Sequence, residues 1–127
     1  MQKRKILIIE DDGFLLTMYA NKFEMEGFSV YTAEEGKKGL KIALKELPDL
    51  ILLDLVLPSM DGFEVLTELK KNEKAKKIPV ILLTNLSQRE EIDKGLKLGA
   101  DDYLIKAHFM PSEVVEKVKI FFNKRDK

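Results

Sequence analysis

Two periodicities alternate along the chain. Near-continuous apolar runs occur at Ile6–Ile9, Leu50–Leu53 and Val80–Leu83. Runs this short and unbroken are the pattern of strands covered on both faces in a parallel sheet. Weaker strands are predicted over 28–32 and 102–105. Between the runs, apolar residues recur at helical spacing over 13–26, 35–46, 61–73, 87–97 and 111–124, each stretch followed by a Gly, Pro or polar break. Leu16, Ala20 and Phe23 form a core-facing stripe in the first helix. Pro111 suits the first turn of the last, where Val114, Val118 and Phe121 share a stripe. Five strands alternating strictly with five helices predict a doubly wound α/β sheet in three layers, because right-handed crossovers place helices on both faces.

Composition narrows the chemistry. The 127 residues suit a single domain over 1–127, with a core large enough to dispense with disulfide or metal staples. No cysteine is present, which excludes thiol catalysis, Cys-ligated zinc and iron–sulfur clusters. Lys and Arg number 22 and Asp and Glu 22, so no uniform basic field for nucleic acid remains and the electrostatics that matter are local. One histidine, His108, rules out a multi-His metal site. The first apolar run is cut off by Glu10-Asp11-Asp12, so it is no signal peptide, and no apolar stretch is long enough to insert in a membrane. A cytoplasmic location is the expectation. The Lys-rich segment 70–77 reads as a solvated helix end and loop.

In open α/β sheets, ligands bind beyond the carboxyl ends of the strands, so the residues that end each run carry the information. Strand one ends in Glu10-Asp11-Asp12, strand three in Asp54, strand four in Thr84 and strand five in Lys106. Taken singly, each could be a helix cap, a strand end, a turn or a surface charge. Gathered on one rim, the carboxylates repel and require a counter-charge. A hard divalent cation such as Mg²⁺ supplies it, being held by carboxylates, water and phosphate oxygens. Phosphoryl transfer needs these parts: a nucleophile, Mg²⁺ on the phosphate oxygens and a cationic side chain. Asp54 is the candidate nucleophile, since a carboxylate needs no base and can form an aspartyl phosphate. The Pro58 and Gly62 that follow are expected to turn the chain away and leave that carboxylate exposed.

This combination resembles the receiver domains of two-component response regulators. The resemblance covers essentially the whole chain and rests on Glu10-Asp11, on Asp54 with Leu57-Pro58-x-Met60-Asp61-Gly62 behind it, on Thr84, and on Lys106. It implies a five-stranded flavodoxin-like three-layer sandwich with strand order 2-1-3-4-5. It implies that Asp54 is the phosphoacceptor, that Asp11 binds Mg²⁺ directly, that Glu10 reaches the metal through water and that the backbone carbonyl of Val56 is a further ligand. Thr84 corresponds to the hydroxyl that moves to the phosphoryl group, Lys106 to its cationic partner and Tyr103 to the aromatic switch. Asp12 is expected to be a cap or outer-shell group.

The resemblance further implies a stand-alone, single-domain switch of the chemotaxis or sporulation type. It implies no enzymatic activity beyond catalysing its own phosphorylation and dephosphorylation. Its donor would be a sensor histidine kinase or phosphotransfer protein, and its output a downstream effector that reads the face of helix four, strand five and helix five, with no direct contact to nucleic acid. Phe14, Leu15 and Met18, at the start of helix one, are candidates for kinase docking, with core packing as the open alternative. Since the receiver fold occupies about 5–123, output is expected to run through non-covalent partners.

Two departures stand out. The family's usual proline after the lysine, in a cis peptide, is Ala107 here, which leaves open a strained bend or a different path. The residue after Thr84 is often small in the family, whereas here Asn85 and then Leu86 follow. Leu86 and Val56 put apolar bulk where water would attack an acyl phosphate, so slow self-dephosphorylation is expected. Three rival readings fit less well. A haloacid dehalogenase-type phosphohydrolase needs a second Asp at the position of Val56. A flavin or nucleotide carrier needs a Gly-rich phosphate loop that is missing. A degenerate receiver acting as a constitutive interaction module would not need Asp54, Thr84 and Lys106.

Overall fold

A computed structural model describes residues 3–126. The elements run β1 (Lys5–Ile9), α1 (Gly13–Met25), β2 (Ser29–Ala33), α2 (Gly36–Glu46), β3 (Leu50–Leu53), α3 (Gly62–Lys71), β4 (Val80–Thr84), α4 (Arg89–Lys97), β5 (Asp102–Ile105) and α5 (Pro111–Arg125), with a single 3₁₀ turn at Lys106–His108. All strand pairs are parallel, in the order β2-β1-β3-β4-β5. The doubly wound sheet and its strand order match the expectation.

Alternation along the three central strands feeds two separate cores. Ile6, Ile8, Leu50, Leu52, Ile81 and Leu83 face α1 and α5. Leu7, Ile9, Ile51, Leu53, Val80 and Leu82 face α2, α3 and α4. Both faces are apolar because both are covered, which is why these strands read as unbroken runs. The edge strands β2 and β5 are only partly buried, and their weaker pattern follows from that.

Several expected positions shift. Phe28 lies just before β2; it is buried against Phe23 (ring centroids 5.4 Å apart, edge-on) and Phe122 (6.2 Å, stacked). Phe122 therefore takes the core position expected of Phe121, which packs at the margin. In α1 the buried stripe is Leu16, Tyr19 and Phe23, with Ala20 half-buried, since spacings of three and four fall on one face. Helix α4 begins at Arg89, two residues later than expected, and buries only Gly95 completely. Lys70 is not simply solvated: its Nζ donates to the carbonyls of Lys76 (3.2 Å) and Ile78 (3.5 Å), clasping the loop into β4.

Helix α2 has no capping side chain of its own. Its first amides are satisfied by the β3–α3 loop instead: Gly36 N donates to the Pro58 carbonyl at 3.1 Å and Lys37 N to Ser59 Oγ at 3.2 Å. Ser59 holds this pose at φ 68°, in the left-handed region.

Candidate functional site

The C-terminal ends of β1, β3, β4 and β5 open on a cleft of about 380 Å³ lined by Glu10, Asp11, Asp54, Val56, Thr84, Asn85, Leu86 and Lys106, among others. Each side chain is placed by the residue where its strand gives out. Glu10 N donates to the Ala33 carbonyl and Asp54 N to the Ile9 carbonyl, both at 3.0 Å, so the sheet's hydrogen bonding carries into the acidic residues. Behind Asp54, Gly62 N donates to the Leu55 carbonyl at 2.9 Å, and a Cβ at Gly62 would lie 2.3 Å from the Asp54 carbonyl. Only glycine lets α3 start that close.

Asp54 is buried, 4% exposed, contrary to the expected exposed carboxylate. The turn does lead the chain away, but Lys106 then closes over the carboxylate. Lys106 Nζ lies 2.6 Å from Asp54 Oδ2 and 2.5 Å from Glu10 Oε1. Asp54 Oδ1 accepts from Val56 N at 3.2 Å, and Glu10 Oε2 from Asp12 N at 3.0 Å. The contact to Glu10 Oε1 is an ion pair outside hydrogen-bond alignment, so this fully buried oxygen lacks a well-directed donor.

The electrostatics follow from burial and crowding. Burial pushes the Glu10 carboxyl up, only partly offset by the Lys106 ammonium and the Asp12 amide, while the Asp54 charge pushes the same way as burial. Burial pulls Lys106 down, but the Asp54 and Glu10 carboxylates in contact with it outweigh that and hold the ammonium above the usual lysine value.

Glu10, Asp11 and Asp54 each bring a carboxylate oxygen to within 4.8 Å of the others. An all-oxygen donor set containing a buried oxygen without an aligned donor fits a hard divalent cation. Asp12 lies outside that set; its carboxylate accepts from Phe14 N (3.0 Å) and Leu15 N (3.1 Å) and caps α1. Val56 is exposed at the cleft.

Thr84 is fully buried, and its Oγ1 accepts from Leu86 N at 3.4 Å. The Tyr103 phenol donates to the Leu86 carbonyl at 2.7 Å. Lys106 reaches the acidic pair by the second of the two open routes: no peptide among the described residues is cis, and the chain turns through the 3₁₀ segment. Phe14 is 76% exposed, whereas Leu15 and Met18 are half-buried and Leu15 packs on the α1–α5 core.

Two residues near the site have roles that the sequence does not announce. Tyr19 is buried in the core under α1 and α5, and its phenol is pushed up by burial and then by the Glu10 charge. Asn85 Oδ1 accepts from Ala107 N at 3.0 Å, joining the β4–α4 and β5–α5 loops. In the sequence Asn85 and Ala107 stand out only as departures from the family pattern, and nothing in their spacing says that one supplies the acceptor for the other. A second cleft, about 440 Å³, lies at the opposite end of the sheet, but its Arg4–Asp126 and Lys119–Glu26 pairs neutralise one another and leave no unsatisfied buried group among its described residues.

Helices long and apolar enough to cross a membrane are absent among the described residues. The chain is 40% identical over 123 residues to the DNA-binding dual master transcriptional regulator RpaA of Synechocystis sp., covering 97% of this chain and 51% of that protein. It is also 40% identical over 125 residues to the alkaline phosphatase synthesis transcriptional regulatory protein PhoP of Bacillus subtilis, covering 97% and 50%. The chain thus spans about half the length of the curated relatives it matches. A CheY-like response regulator receiver domain protein from Methanospirillum hungatei superposes with a TM-score of 0.90 at 30% identity, over 98% of each chain. The family model of the response regulator receiver domain matches residues 6–119, the span that contains every strand end on the acidic rim. Fold, strand-end residues and family model agree, and the chain belongs to the response regulator receiver domains.

Proposed function

We propose that this domain is a phosphorylation-activated switch whose phosphoacceptor is Asp54. The observation that carries the reading is the buried Lys106 ammonium bridging Asp54 and Glu10 at 2.6 and 2.5 Å, a cation held where a phosphoryl oxygen would need one. Glu10, Asp11, Asp54 and the Val56 carbonyl would hold Mg²⁺. When bound, the ion neutralises phosphoryl oxygens so that an anion can enter an acidic cleft.

An Asp54 carboxylate oxygen attacks the phosphorus of a phosphohistidine on a kinase or phosphotransfer protein. The new O–P bond forms as the P–N bond breaks, and the released imidazole takes up a proton. Lys106 needs only to exchange one carboxylate contact for a phosphoryl oxygen. Thr84, whose hydroxyl accepts from Leu86 N, retains its own O–H to donate to the phosphoryl group. Drawing Thr84 inward tugs on Leu86, and through its carbonyl on Tyr103, which is how roughly 1.5–2 added charges would alter the face formed by α4, β5 and α5. Phe14, with Leu15 and Met18 beside it, is the surface offered to the donor protein. Val56 and Leu86 flank the path of a hydrolytic water, so the acyl phosphate is expected to persist well beyond seconds.

The test is incubation with acetyl phosphate, with and without Mg²⁺, followed by intact mass. A single phosphoryl gain that requires Mg²⁺ and vanishes in Asp54→Asn is expected. No gain, or a gain that survives the substitution, overturns the reading. A lifetime of seconds for the phosphorylated form overturns the part assigned to Val56 and Leu86.

A further inference from the structure

The loops that carry Thr84 and Lys106 are tied together one residue beyond each. Asn85 Oδ1 accepts from Ala107 N at 3.0 Å. Lys106 opens a one-turn 3₁₀ segment closed by Phe109 N donating to the Lys106 carbonyl at 3.2 Å. The Ala107 amide sits in the first turn of that segment, so it has no partner within it. A proline at 107 would offer no N–H at all and would disfavour the helical backbone at Lys106. Asn85 and Ala107 therefore function as a pair, an acceptor in one loop for a donor present only because the other loop lacks proline.

We infer that Asn85 is a positioning residue for phosphoryl transfer: by holding the Ala107 amide it fixes the Lys106 backbone and so aims the ammonium at Asp54. A lysine head rides on a flexible four-carbon stem, and its aim depends on where that stem is anchored. The stem leaves the chain at the residue just before the held amide. On the acceptor side, the two neighbours of Asn85 are engaged as well, Thr84 Oγ1 with Leu86 N and the Leu86 carbonyl with Tyr103. One course of the β4–α4 loop thus serves the hydroxyl, the lysine and the phenol together. The inference rests on the proposed phosphoryl transfer at Asp54 and adds to it a residue whose side chain acts through Lys106.

The experiment uses Asn85→Ala, Asn85→Asp and Lys106→Met, and Asn85→Ala combined with Lys106→Met. With acetyl phosphate and Mg²⁺, Asn85→Ala is expected to slow phosphoryl gain about threefold to tenfold, the range for one lost neutral hydrogen bond. In the Lys106→Met background the same substitution is expected to slow it no further. By amide hydrogen exchange, Ala107 loses protection in Asn85→Ala and keeps it in Asn85→Asp, which retains the acceptor oxygen. Wild-type phosphorylation in Asn85→Ala, or equal slowing in both backgrounds, overturns the inference. If the wild-type chain gains no phosphoryl group, the proposed function fails instead. Exchange at Ala107 and the ammonium resonance of Lys106, which moves in Asn85→Ala only if Asn85 anchors that stem, then decide whether Asn85 aims Lys106.

Discussion

The Tyr103 phenol donates to the Leu86 carbonyl at 2.7 Å, joining strand β5 to the loop two residues beyond Thr84. Burial, then the charges of Glu91 and Asp54, pushes this phenol up to about 12 from 10.0. A folded value above the unfolded one means that folding favours the protonated phenol. Its stabilisation is whole below the ordinary value of 10.0 and is lost as pH rises toward about 12. Tyr103→Phe is expected to lose less stability than wild type across that window, read from urea midpoints at successive pH values. Parallel curves for the two proteins would contradict the assignment.

Lys106 occupies the carboxylates that Mg²⁺ would use. Lys106→Met removes a competing charge from Glu10 and Asp54 and is expected to tighten Mg²⁺ binding about tenfold, measured by calorimetry, while slowing phosphoryl gain at least as much. Weaker Mg²⁺ binding in the variant would show that the ammonium supports the cation site and does not compete with it.

Gly36 is packed under the loop that follows Asp54. A Cβ there would lie 1.8 Å from the Met60 carbonyl oxygen, so backbone must move. Gly36→Ala is expected to cost about 1–3 kcal/mol in denaturant unfolding, the range for overpacking. It should also raise exchange at the Lys37 amide as Ser59 is displaced.

Phe14 carries no weight in the core, being 76% exposed. Phe14→Ala should change stability by less than about 0.5 kcal/mol and leave the acetyl phosphate reaction unchanged. Transfer from a phosphorylated kinase should slow. If both donors slow alike, Phe14 shapes the cleft, and the donor protein docks elsewhere.

The central strands and the acidic rim were legible in the sequence because each rests on a local signal. Four buried apolar residues must be covered on both sides, and a carboxylate that breaks such a run must sit at its end. Edge strand β2 was displaced by one residue because Phe28 looks like strand but packs as core, a distinction that depends on Phe23 in the preceding helix and on Phe122 arriving from the last helix, far along the chain. The burial of Asp54 was missed for a related reason: the turn after it is written beside it, while the lysine that covers it lies fifty-two residues away. The Asn85–Ala107 bond is harder still to read, since half of it is a backbone amide, and amides leave no mark in a sequence unless a proline removes one.

Helix α2 depends for its cap on Pro58 and Ser59, in the loop that carries the chain from Asp54 to α3. That loop therefore serves as a ruler between two neighbouring helices. An inserted residue would slide the Ser59 oxygen off the Lys37 amide, and a deletion would pull the Pro58 carbonyl away from Gly36. Length is fixed here by a helix that never touches the phosphoryl group. Among relatives of this chain, changes of loop length at this point should be accompanied by a capping residue newly placed at position 35, where this chain has the non-capping Glu35.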